Sequence, residues 1–146
     1  GFWSAYWYNG RIYGSEIARG LDVLALAPSS YLSENEIAAA ALANNGGRFN
    51  PQQQFAVTWP DHPVVALAYL DQLERSKALP AEKVASLRQA LLQAKADLGQ
   101  RKSDAQLASR INGLTSDVRP SSSDAATAVR ATALRQTLGR IAAQLR

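Results

Sequence analysis

The first 26 residues contain three adjacent runs of strand type whose large rings fall on both sides of the backbone, and few folds accommodate that pattern. Successive side chains of an extended strand point to opposite faces. Along residues 2–8 this places Phe2, Ser4, Tyr6 and Tyr8 on one face and Trp3, Ala5 and Trp7 on the other. Asn9 and Gly10 form the dipeptide that accepts positive φ at both central positions of a type I′ turn, so residues 2–8 close onto residues 11–17 as a tight hairpin. Ala18, Arg19 and Gly20 supply a second turn into residues 20–26. The pattern predicts a three-stranded antiparallel meander. With rings on both faces and two unpaired edges, such a sheet is marginal alone. Its rings are expected to be covered by the helical part of the molecule, by another copy, or by a different protein.

A meander ending in an apolar strand just before a change of composition has the form of one β-propeller blade whose fourth strand lies elsewhere. The run from Phe2 through Asn9, Gly10 and Gly14 to Asp22, Val23 and Leu24 resembles the last repeat of the secreted bacterial LVIVD-repeat proteins. That resemblance implies a predicted propeller, an exported protein located outside the cell, in the periplasm or at the cell surface, and a helical tail from about Trp59 onward. The departure is that a propeller needs several blades, whereas this sequence holds most of one. It also has no methionine and begins in mid-pattern, which suggests a processed product or the ordered part of a longer protein.

After Leu26, Ala27 to Ser30 read as a linker. Ser33 and Glu36 match a capping box, in which each side chain satisfies a free amide at a helix start, so a short Ala-rich helix is expected over residues 34–43. Asn44, Asn45, Gly46 and Gly47 should end it. Residues 48–60, with Asn50-Pro51 and three glutamines, lack helical period; Phe55, Val57 and Trp59 alternate, as expected of an extended connector lying in a groove or adding a strand, with Trp59 as anchor.

From Asp61 the period changes to helical. Asp61, His62 and Pro63 give an N-terminal signal. Val64, Leu67, Leu70 and Leu73 then share one face, followed by a turn at residues 76–79. Pro80 starts a second helix with Val84, Leu87, Leu91 and Leu98 inward and Gly99 closing it. Ser103 and Asp104 cap a third, with Leu107, Ile111, Leu114 and Val118. Residues 120–124 break the pattern and cap a fourth over residues 125–145, with Leu134, Leu138, Ile141 and Leu145. Four amphipathic helices with short loops predict an up-down-up-down bundle whose inner faces are leucine and alanine with almost no polar groups. The expected class is α+β, mostly α: a meander at residues 1–27, a linker with one short helix at 28–60, and the bundle at 61–146.

Composition narrows the function. Without cysteine there is neither a disulfide frame nor a thiolate metal site. No run approaches the ~18 apolar residues of a membrane span. Net charge is +4, built from −1 over residues 1–60, +2 over 61–120, and +3 at the end, where Arg130, Arg135, Arg140 and Arg146 face only Asp124. Arginines without interleaved aromatics read as a solvated helix face rather than a nucleic-acid footprint. His62 is the sole histidine and no nucleophile-elbow pattern accompanies it, so helix capping is its expected role. Glu16 and Asp22 stand beside turns, where carboxylates are usually solvated, and Gly10, Gly14 and Gly20 precede no helix start that would make a phosphate loop. No cofactor is expected. What remains is the aromatic set of Phe2, Trp3, Tyr6, Trp7, Tyr8, Tyr13 and Trp59, as a protein-binding surface of a non-enzymatic structural or interaction module. The alternative is the tail of a propeller enzyme whose active site lies in other blades.

Overall fold

A computed structural model describes residues 1–43, 56–121 and 124–146. The expected helix end at Asn44–Gly47, the first part of the connector through Phe55, and Ser122 and Ser123 lie outside the described residues. Among the described residues three strands precede five helices, one short and four long: β1 (Phe2–Tyr8), β2 (Arg11–Glu16), β3 (Gly20–Leu24), α1 (Glu34–Ala41), α2 (Pro63–Arg75), α3 (Ala81–Gly99), α4 (Ala105–Thr115) and α5 (Ala125–Gln144). The α+β class, mostly α, holds. Contacts divide the protein into two compact units, Gly1–Pro60 and Asp61–Arg146.

In the first unit the sheet is an antiparallel meander of order β1-β2-β3. Asn9 at φ 47° and Gly10 at φ 74° make the left-handed pair that a type I′ hairpin turn requires, and Tyr8 pairs with Arg11 across it. The register runs without interruption from Tyr8↔Arg11 to Ser4↔Ser15 and then slips, so that Phe2 faces Glu16 and Trp3 is an extra residue. This β-bulge reverses the alternation. The sequence pattern puts Phe2 with Ser4, Tyr6 and Tyr8; the bulge turns it to the face of Ala5, Trp7, Ile12 and Gly14. There the ring lies over Gly14, where a Cβ would come within 2.6 Å of it. Gly14 is the one buried residue of the three strands.

At the second turn Glu16 does the work of the missing backbone partners. Its carboxylate accepts hydrogen bonds from the amides of Ala18 and Arg19, each at 2.8 Å, and Arg19 pairs with Asp22 at 2.7 Å. The expected capping box is present at α1: Ser33 Oγ accepts from the Glu36 amide at 3.1 Å and the Glu36 carboxylate accepts from the Ser33 amide at 2.7 Å.

In the second unit α2 packs on α3, α3 on α4, α4 on α5, and α5 returns to α2, which is the closed ring of an up-down-up-down bundle. The core is the set that the helical period selects: Leu67, Leu70, Leu73, Leu87, Leu91, Ile111, Leu134, Leu138 and Ile141, all essentially inaccessible to solvent. Side chains at the N-terminal ends satisfy the free amides of three helices. His62 Nδ1 accepts from the Val64 amide, Asp104 from Leu107, and Asp124 from Thr127.

Two features depart from the sequence reading. The inner faces are not free of polar groups, because Asp71, Asp97, Thr127 and Thr137 are buried. Asp71 is matched by Arg88, which reaches back from α3 at 2.7 Å and also contacts Glu74. The helix C-termini do not rely on glycine either. Gly99 is the last residue of α3, but the left-handed position falls on Arg101 at φ 56°, and after α2 on Lys77 at φ 54°. In both places an amide bonds back across the final turn, Lys102 to the Asp97 carbonyl at 2.8 Å and Ala78 to that of Leu73 at 2.9 Å.

Candidate interaction surface

The bulge and the register sort the meander into two unlike faces. On one, Phe2, Ala5, Trp7, Ile12, Gly14 and Leu24 share the surface with Glu16 and Asp22. Trp7 on this face borders a shallow apolar recess of about 240 Å³ together with Ala40, Ala43, Val57 and Trp59. The end of α1 and the last part of the connector therefore lie on the Trp7 side. The connector adds no strand to the sheet among the described residues.

The opposite face carries Tyr6, Tyr8, Tyr13, Leu21 and Val23, with Ser4, Ser15 and Arg11 at its margins. Tyr6 stands directly opposite Tyr13, and Tyr13 opposite Val23, so a ring, a ring and an aliphatic side chain form a row across three strands. This face is open: Leu21 is 64% exposed and Val23 54%, Tyr6 and Tyr8 are exposed, and Tyr13 is half-buried, while on the other face Phe2 and Leu24 are exposed and Trp7 and Ile12 half-buried. Trp3, displaced by the bulge, is 76% exposed.

The seven aromatic residues singled out by sequence thus separate into groups. Tyr6, Tyr8 and Tyr13 share the open face, and Trp3 projects from the bulge. Phe2 and Trp7 face the other way, with Trp59 beside Trp7. Sequence reasoning passes over Leu21 and Val23, although their alternation with Asp22 in β3 places them opposite Ser15 and Tyr13 on the open face.

The acidic candidates are engaged in structure. Amide donation, chiefly from Arg19, holds the Glu16 carboxyl below its ordinary range. Glu16 and Asp22 are both engaged at the turn they flank, Glu16 by the Ala18 and Arg19 amides and Asp22 by the Arg19 guanidinium. Burial lowers the His62 pKa below its usual value, with repulsion from Lys95 adding to it, which keeps the ring neutral so that Nδ1 can accept the capping bond. Several bundle cations are likewise paired internally: Lys83 with Asp117 at 2.7 Å, Arg140 with Asp61 at 3.1 Å, and Arg135 with the Val118 carbonyl at 2.9 Å.

Among the described residues no group of three or more His, Cys, Asp or Glu side chains is placed to hold a metal ion, and no helix is long and apolar enough to cross a membrane. Compared with protein-family models, with curated proteins and with solved structures, the sequence and its fold match none.

Proposed function

We propose that the protein is a non-enzymatic interaction module in which the meander docks onto protein and the bundle serves as its attachment body. The observation that carries this reading is the open face of Tyr6, Tyr8, Tyr13, Leu21 and Val23, with Trp3 projecting beside it. Contiguous apolar surface of this kind on a small sheet marks a binding site, and the mixture of rings with aliphatic side chains suits a protein layer better than a sugar or a base, which would stack on the rings alone. Covering the face removes large side chains from water at ~1.5–3 kcal/mol each when complete. The outer edges of β1 and β3, which carry no further strand among the described residues, can add main-chain hydrogen bonds to the same contact.

The resemblance to the last LVIVD repeat suggests the partner: the remaining blades of an exported propeller, or a larger assembly outside the cell, against which this blade closes. Native protein isolated with its associated subunits provides the test. Exchange with a Trp3→Ser/Tyr6→Ser variant should release the protein from the assembly while the far-ultraviolet circular dichroism of the bundle is unchanged. Retention with unchanged affinity would overturn the reading and direct attention to the arginines of α5, whose contacts would weaken at high salt.

A further inference from the structure

The hairpin turn carries chemistry of its own. Asn9 is exposed and followed by Gly10, whose missing side chain leaves no heavy atom within 4 Å of the place a Cβ would take. We propose that Asn9 is a self-modifying site, at which the carboxamide nitrogen is lost and the type I′ turn is converted to an aspartyl or isoaspartyl linkage. The main-chain nitrogen of Gly10 bonds to the carboxamide carbon of Asn9; the bond from that carbon to Nδ2 breaks, and ammonia leaves with the proton that the Gly10 amide gives up. Water then opens the five-membered imide at one carbonyl or the other. No other reactant is required.

The sequence holds two further copies of the dipeptide; Asn45-Gly46 lies outside the described residues, and the structure separates Asn9 from the other, Asn112-Gly113, both residues of which are exposed. That copy lies inside α4, so the Gly113 amide is held in the helical ladder and the backbone cannot turn its nitrogen toward the asparagine carboxamide without local unfolding. At the hairpin, Gly10 is the second central residue of the turn, outside the Tyr8↔Arg11 pair, at the end of a sheet that has no buried residue but Gly14. Ring closure at Asn9 still has to wait until the left-handed pair opens, but a hairpin tip opens far more readily than a helix packed on a core. The consequence is local and large. An isoaspartyl linkage inserts an extra main-chain atom into a two-residue turn, and either product adds a negative charge where β1 joins β2, so the register that lines up Tyr6 with Tyr13 is disturbed.

Incubation of the full-length protein at mildly alkaline pH, followed by peptide mapping, tests the proposal. Cleavage at arginine places Asn9 in the peptide ending at Arg11 and Asn112 in the one beginning at Ile111, so the two are read separately. In the folded protein Asn9 should convert at least about tenfold faster than Asn112, the kind of ratio that unequal local opening produces. In denaturant the two should convert at comparable rates, and an Asn9→Asp variant supplies the reference for one product while retaining a dipeptide that favours the turn. Equal rates in the folded protein, or an Asn9 that stays intact there while it converts in denaturant, would overturn it. A difference that persists unchanged in denaturant would overturn the structural gating.

Discussion

The two units solve the same problem, burying apolar side chains, with unequal success. The bundle distributes its leucines over four faces that converge, so Leu70, Leu91, Leu134 and Leu138 are wholly removed from water. The meander has as dense a supply of large side chains but one layer to put them in, and Trp3, Leu21 and Val23 are left exposed. A four-helix ring encloses its own core, whereas a three-stranded sheet has two faces and two edges and no means of closing on itself. The lesson is that apolar content does not set stability; the number of layers available to receive it does.

The sharpest way to break this contrast is in the bundle core. Leu138→Ala or Ile111→Ala should cost ~2–5 kcal/mol in denaturant unfolding of residues 61–146, and those residues expressed alone should give the circular dichroism of a helical bundle; a random-coil spectrum would sink the claim of autonomy. The meander has one tight spot. Gly14→Ala displaces the Phe2 ring, the far end of a half-exposed side chain, and should destabilise the sheet by at most about 1 kcal/mol, seen as faster amide exchange in β1 and β2 with the midpoint of the bundle unmoved. Shared loss in both units would instead couple them.

The polar part of the bundle core sharpens the contrast further. Arg88→Met removes the cation that matches buried Asp71 and should cost ~1–3 kcal/mol, measured by chemical denaturation. At the helix ends a gain is expected: Arg101→Gly or Lys77→Gly places glycine where φ is already left-handed, and should raise stability by ~0.5–1 kcal/mol in the same assay. The smallest effect is that of His62. Its pKa is lowered in the folded state by burial first and by Lys95 second, so on acidification the unfolded state takes up the proton before the folded one does. Stability from this group is complete above ~6.5 and is lost as pH falls through the lower folded value. His62→Asn retains a capping acceptor and should flatten that acid limb of the stability profile.

Much of this was legible in sequence because much of it is local. The Asn9-Gly10 turn, the Ser33/Glu36 box and the caps of α2, α4 and α5 each depend on residues within a few positions of one another. The core faces of the four long helices follow from a period that survives over many residues. What could not be read there depends on partners far away in sequence or on a single slip of phase. Period-two alternation assigns Phe2 to the face of Tyr6, and one extra residue at Trp3 reverses it, with nothing in the sequence to mark the bulge except, in retrospect, the glycine at 14 that receives the ring. A count of apolar positions likewise overlooks Asp71, because the residue that makes its burial tolerable is Arg88 on the next helix.

The sequence by itself determined the elements, the starts of the helices and the closure of a helical ring, since propensity, capping and amphipathic period act over a few residues and agree with one another. Only the tertiary structure decided which side chains share each face of the meander. That choice belongs to the bulge, to the strand register and to the placing of Trp59 beside Trp7, all of which are set by contacts between residues distant in sequence. It is also the choice on which the proposed docking surface rests, because it gathers Tyr6, Tyr8, Tyr13, Leu21 and Val23 on one face.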